Sequence, residues 1–193
     1  PASVPFVHSR LRIAVVVLAV SAVGGWVWSN TSGAKVDAVL TTPGEVPYPS
    51  LDTNEPVVGK QLPVAQLTDL DGKAIDLQSF VGSPLVLNFW YSTCEPCRRE
   101  IPAFAQAHTA HSDIQFVGFN MNDSPEMAKA FGEKYGINYP IVFDQSGTVI
   151  RELGIVTAPS TLFIDSEGNI VDQVAGEISA DKLASLITQW FTS

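Results

Sequence analysis

From residue 57 onward, apolar positions along the chain follow two alternating periods. Leu85–Trp90 (LVLNFW) is a nearly continuous apolar run, the mark of a strand covered on both faces. Val64–Leu67 and Ala74–Leu77 flank Asp71-Gly72, which predicts a hairpin. Ile114–Asn120, Ile141–Phe143 and Thr161–Asp165 also read as strands, and Val171–Val174 pairs with the last of these across a Glu167-Gly168 turn. Helical spacing marks Arg98–Ala110, Pro125–Tyr135 and Ala180–Phe191, the last with Leu183, Leu186, Ile187 and Trp190 on one stripe. Such alternation predicts an α/β domain: a mixed β-sheet flanked by helices.

Upstream the pattern changes. Arg10 and Arg12 precede an uncharged run from Ile13 to Trp28 with tryptophans at its far end. The run is expected to be a single transmembrane anchor. Its 16 residues span about 24 Å against a hydrocarbon core of ~30 Å, and the tryptophans and a snorkelling arginine help to close the gap. The basic flank predicts a cytoplasmic segment at 1–12 and a catalytic domain on the extracytoplasmic side. A cleaved signal peptide competes, because Val20-Ser21-Ala22 resembles a small-residue cleavage site. Both place the body outside the cytoplasm; a buried core helix is disfavoured because the run has no polar face. Residues 29–56, punctuated by Pro43, Gly44, Pro47, Pro49 and Pro56, read as a flexible linker with an end-to-end distance on the order of 30 Å, leading into a domain at 57–193.

Of the 193 residues 46% are hydrophobic and 16% charged, enough to build a core and to exclude wholesale disorder. Eleven basic against 20 acidic residues give a net charge of −9, and three of those bases lie in the first 40 residues. A body this acidic is repelled by phosphate backbones, so nucleic acid is excluded as a partner. Two cysteines are too few for a disulfide-stapled scaffold or a four-cysteine zinc site.

Those cysteines carry the chemistry. Cys94-Glu95-Pro96-Cys97 follows the buried strand after three residues and opens a helix. Unpaired N–H groups and the positive end of the helix dipole stabilise a thiolate there, so Cys94 is the expected nucleophile. Cys97, one turn on, is placed to displace whatever Cys94 has bonded, the two steps of thiol–disulfide exchange. Pro96 lacks an N–H that an early helix position does not use. A lone CxxC is also half a zinc site, yet the spacings onward to His108 and His111 are too short for a finger. Arg98 after Cys97 excludes haem attachment, and a structural disulfide closing so small a loop stabilises little.

The segment FWYSTCEPCRREIP resembles the active site of the membrane-tethered, thioredoxin-like TlpA/ResA/CcmG (DsbE) thiol–disulfide oxidoreductases. The likeness continues through LTDLDGKAIDLQSF, LVLNFW, FNMNDSPEMAKAFGEKYGINYPIVFD, GIVTAPSTLFID and EGNIVDQVAG. It implies a thioredoxin-like sheet with an N-terminal β-hairpin and a central insert. The implied activity needs no metal or organic cofactor. It takes a disulfide-containing protein as substrate, apocytochrome c before haem attachment in the best-known branch, and draws electrons from a transmembrane thiol donor.

Carried over by position, the resemblance implies that Pro159 is a cis-proline packed against the CxxC and that the Ala158 backbone pairs with an extended substrate. It also places an acidic residue at Glu100. Trp90, four residues before Cys94, is expected to shield the site, with plain core packing as the alternative, and Trp90, Glu95 and Pro96 are the expected substrate-side residues. Independently, Glu100 lies three residues after Cys97 on the same helical face, within reach of both thiols. Asn88 stands where thioredoxin proper has a buried aspartate, which shifts proton handling toward Glu100. Pro102 is expected to kink its helix. His108 and His111 read as an exposed helix end, and Arg98 and Arg99 as solvated charges or aids to a thiolate. Three other functions stay open at this level: an exported oxidant, a peroxidase suggested by Ser92-Thr93-Cys94 but disfavoured by the adjacent second thiol, and a tethered binding module with incidental cysteines.

Overall fold

The computed structural model describes residues 54–192. The expected anchor at 13–28 and all but the end of the linker lie outside the described residues. Among the described residues, no helix is long and apolar enough to cross a membrane.

One seven-stranded sheet forms the frame: β1 (Gln66–Thr68), β2 (Ala74–Asp76), β3 (Leu85–Trp90), β4 (Gln115–Asn120), β5 (Ile141–Phe143), β6 (Ser160–Ile164) and β7 (Ile170–Ala175), in the order β2-β1-β5-β4-β3-β6-β7. β3 lies inside the sheet, parallel to β4 and antiparallel to β6, and all six of its residues are buried, which is why its sequence does not alternate. The helices are α1 (Glu95–Ala110), α2 (Pro125–Tyr135), α3 (Thr148–Leu153) and α4 (Ala180–Phe191). The thioredoxin-like mixed sheet flanked by helices is therefore as expected.

Alternation along β3 divides the core. Leu85, Leu87 and Phe89 face a cluster containing Val149 and Leu153 of α3, with Leu62 and Val57 from the N-terminal segment. Val86 points to the opposite face, where Phe104 of α1 packs with Leu183, Leu186 and Ile187 of α4. Trp90 belongs to a third cluster with Cys94, Cys97 and Ile101, and with Ala128 and Phe131 of α2. Asn88 lies between these two apolar groups, one residue-pair from each, and the fold leaves a polar slot behind α1 at that point.

Several boundaries differ from expectation for physical reasons. The hairpin loop is closed by Asp69, whose side chain accepts from the N–H groups of Asp71 and Lys73. Leu77 leaves β2 to start a 3-10 turn at Leu77–Phe80, capped by Asp76. α1 starts at Glu95, three residues before the apolar periodicity becomes visible, because Cys94 itself is the N-cap and Pro96 tolerates the first turn. Pro102 sits inside α1 without ending it. Trp190 of α4 is exposed rather than part of the buried stripe, and its indole N–H donates to Asp172. Residues 54–56, placed in the linker by composition, are bonded to the domain: Asn54 is buried and meets Val156 and Thr157.

Candidate active site

β3 delivers the chain to the sheet's end, and the turn Tyr91–Thr93 feeds it into α1. Cys94 N–H donates to the Tyr91 carbonyl at 3.1 Å, and the Cys94 sulfur accepts from Cys97 N–H at 3.2 Å, as an N-cap does. Cys94 and Cys97 are joined as a disulfide, with Cα atoms 5.3 Å apart. Cys94 keeps 3% of its surface exposed and Cys97 none. Attack by or on an outside sulfur is therefore open only at Cys94, while Cys97 is the internal partner.

Facing the disulfide, the Ala158–Pro159 peptide bond is cis, and Ala158 packs against the cysteine cluster. Pro159 C=O accepts from Gly176 N–H, tying the loop to the end of β7. No hydrogen bond engages the N–H or C=O of Ala158 among the described residues. A half-buried, unpaired backbone donor and acceptor beside a reactive sulfur form a short strand edge, able to pair with an extended chain.

Behind the disulfide, Glu100 is 1% exposed. Its Oε1 accepts from Asn88 Nδ2 at 2.8 Å and its Oε2 from Ile178 N–H at 2.9 Å. Burial raises its pKa, those two hydrogen bonds oppose the rise, and the charge of Glu177 adds to it, leaving it at about 7. Asn88 also donates to Thr161 Oγ1 at 3.1 Å. Burial, and after it the charge of Glu100, push the Tyr139 phenol above its ordinary range. A carboxyl group one helical turn from Cys97 that gains and loses its proton near neutrality is a fitting proton store for a dithiol.

Residues 58–173 match the model of the AhpC/TSA family, more than half of the chain. The chain belongs to that family. Within it, the chain groups, as its motifs imply, with TlpA, ResA and CcmG. It is similar to the thiol–disulfide oxidoreductase ResA of Bacillus subtilis (strain 168), 32% identical over 123 residues that cover 63% of this chain and 69% of the relative. ResA of Bacillus thuringiensis subsp. konkukian is 28% identical over 128 residues, 65% of this chain and 74% of the relative. Among solved structures, a secreted Mycobacterium tuberculosis disulfide oxidoreductase homologous to E. coli DsbE matches with a TM-score of 0.60 at 26% identity, covering 64% of this chain and 94% of that one. A thiol:disulfide interchange protein DsbE from Chlorobium tepidum gives 0.60 at 28% identity, covering 67% and 92%. The enzyme is a thiol–disulfide oxidoreductase.

The oxidoreductase fold brings Ala158, next to the cis-bonded Pro159, into one cluster with Cys94 and Cys97, although 60 residues lie between Cys97 and Ala158 in sequence, and it sets Glu100 deeper, against Asn88 of β3 and the Ile178 N–H. Trp90 has no exposed surface, so it offers substrate no contact; it stacks on Phe131 at 4.9 Å and packs with Cys94 and Cys97, a shielding position behind the disulfide. Glu95 is exposed and pairs with Arg98 and Arg99, and Pro96 is half-buried beside it, so both keep accessible surface next to Cys94. The exposed helix end expected at His108 and His111 is a correction: both are half-buried, His108 with its ring edge-on to Phe116 and Tyr139 and His111 as the C-cap of α1.

Neither arginine turns to the sulfur atoms: Arg99 pairs with Glu177, and Arg98 donates through Nε and Nη2 to the Ser92 carbonyl at 3.0 and 2.8 Å. Ser92 is held from its other side too. Its N–H and hydroxyl each donate to Asp123 at 2.6 Å, and Asn120 Nδ2 donates to the same carboxylate at 2.8 Å. This clamp on the turn before Cys94, and the contact of Asn54 with Thr157, are the site features that sequence reasoning missed. The polar run Asn120–Ser124 at a strand-to-helix junction was the available signal for Asp123; Asn54, in a proline-punctuated stretch, gave none.

Proposed function

We propose that this oxidoreductase acts as a reductant on the extracytoplasmic side of the cytoplasmic membrane, held there by the segment at 13–28, and that its substrate is the disulfide of apocytochrome c before haem attachment. The observation that carries the proposal is the juxtaposition of a Cys-Glu-Pro-Cys disulfide, exposed only at Cys94, with the unpaired Ala158 backbone. A substrate cysteine on an extended segment paired with Ala158 is presented to Cys94. Likeness to ResA and to DsbE-type structures supports the assignment.

In the reduced enzyme the Cys94 thiolate attacks one sulfur of the substrate disulfide, forming a mixed disulfide and releasing one substrate thiolate, which takes up a proton. Cys97 then loses its proton, with Glu100 as the nearby acceptor, and attacks the Cys94 sulfur. The second substrate thiol departs and the enzyme is left oxidised. Two electrons and two protons must return from a thiol donor that crosses the membrane.

The reduction potential of the isolated domain against glutathione tests the direction. A value near about −200 mV or below supports a reductant, and one near about −120 mV identifies an oxidant that inserts disulfides instead.

A further inference from the structure

Asn54 makes four hydrogen bonds, all to the two residues before Ala158. Its Oδ1 accepts from Val156 N–H at 2.7 Å, from Thr157 N–H at 2.9 Å and from the Thr157 hydroxyl at 3.1 Å. Its Nδ2 donates to the Thr157 carbonyl at 3.2 Å. One carboxamide thus occupies both the donor and the acceptor of the Thr157 backbone, as a neighbouring strand would. The next residue in the chain is Ala158, whose own donor and acceptor are left open. The pairing ends one residue before the edge that faces the disulfide.

We infer that Asn54 is a positioning residue for substrate: it fixes the peptide planes on either side of Thr157 and thereby the direction in which Ala158 presents its N–H and C=O. This rests on the reading that Ala158 pairs with an extended substrate. It also means that the catalytic unit begins before residue 57, in a stretch whose composition belongs to the linker.

The remaining contacts of this segment supply a control. Glu55 N–H donates to the Gly154 carbonyl, Val57 N–H to Gln173 Oε1, and Gln173 Nε2 to the Glu55 carbonyl, so residues 55–57 are fastened independently of Thr157. If Asn54 only attaches the segment, loss of the Gln173 side chain has the same effect as loss of Asn54. If it sets the loop, the two differ.

The test uses the full chain, pre-reduced, in single-turnover reactions with two probes: an oxidised synthetic peptide carrying Cys-x-x-Cys-His, which has a backbone to pair, and glutathione disulfide, which has almost none. Asn54→Ala is expected to raise the half-saturating peptide concentration about tenfold, roughly the effect of losing a hydrogen-bonded constraint, with the limiting rate changed less than about twofold. The rate with glutathione disulfide stays unchanged. Gln173→Ala leaves the peptide constant unchanged. The inference is overturned if Asn54→Ala leaves the peptide constant unaltered, slows both probes equally, or is matched by Gln173→Ala. Failure of the underlying reading looks different: a peptide N-methylated at each residue flanking its first cysteine then saturates the parent enzyme as readily as the unmodified one.

Discussion

Asn88 and Glu100 meet between β3 and α1, twelve residues apart in sequence and 2.8 Å apart in space, with neither exposing more than 1% of its surface. An asparagine cannot take up a proton, so Glu100 is the titrating member of the pair. Burial sets its pKa at about 7 instead of 4.5, with the Asn88 and Ile178 donors holding it from rising further. The rate of resolution of a mixed disulfide at Cys94 should therefore change around pH 7, and Glu100→Gln should remove that break while leaving the fold intact. Stopped-flow rates from pH 5.5 to 8.5 read both.

The same shift makes stability depend on pH. Glu100 binds its proton more tightly folded than unfolded, so its contribution is complete below about pH 4.5 and is lost as the pH rises through about 7. The shift corresponds to a decline on the order of 3 kcal/mol across that window. Urea unfolding of the oxidised protein should show the decline, and Glu100→Gln should show a flatter profile over the same range.

Asp123 holds the turn before the disulfide by accepting from Ser92 twice and from Asn120 once. Asp123→Ala strands those donors and should cost roughly 1–3 kcal/mol in urea unfolding. Loosening the turn also reduces the preorganisation of the two sulfur atoms. Equilibration with glutathione should show the variant more readily reduced than the parent, whereas Ser112→Ala, at an exposed site beyond the end of α1, should match the parent in both measurements.

Gly118 on β4 lies under the indole that backs the disulfide. A Cβ built there falls 2.8 Å from Trp90 Nε1 and 3.2 Å from a Tyr139 ring carbon, too close for either buried ring to ignore. Gly118→Ala should destabilise the domain by about 1–3 kcal/mol and change the tryptophan emission, both measurable in one thermal melt followed by fluorescence.

Much of this fold is legible in sequence wherever burial imposes a period. The run LVLNFW marks a strand with neighbours on both sides, and the ends of α2 and α4 are announced by Ser124-Pro125 and Ser179, whose side chains cap them. The short helix α3 was invisible because six residues give less than two full turns of periodicity. The placement of Cys94, Cys97 and Glu100 at one helix start was legible because local spacing sets it, and the cis bond at Pro159 with Ala158 beside the cysteines because the motif around them matches a known family. Substrate contact by Trp90 fails for a physical reason, while its shielding position holds: proximity in sequence to a reactive cysteine does not say which side of the strand the ring occupies, and this ring lies buried with Cys94, Cys97 and Ile101 of α1. The partners of Ser92 and Thr157 lie 31 and 103 residues away, and no local pattern encodes a contact of that range.

Trapping on a Cys97→Ser variant tests the central claim most directly. With the second sulfur gone, reduced enzyme mixed with the oxidised Cys-x-x-Cys-His peptide should accumulate a one-to-one mixed disulfide at Cys94. It should be visible by intact-protein mass spectrometry and released by dithiothreitol, and the parent should accumulate none. Absence of that adduct, with free peptide disulfide persisting beside an intact Cys94 thiol, contradicts the assignment of Cys94 as the attacking group.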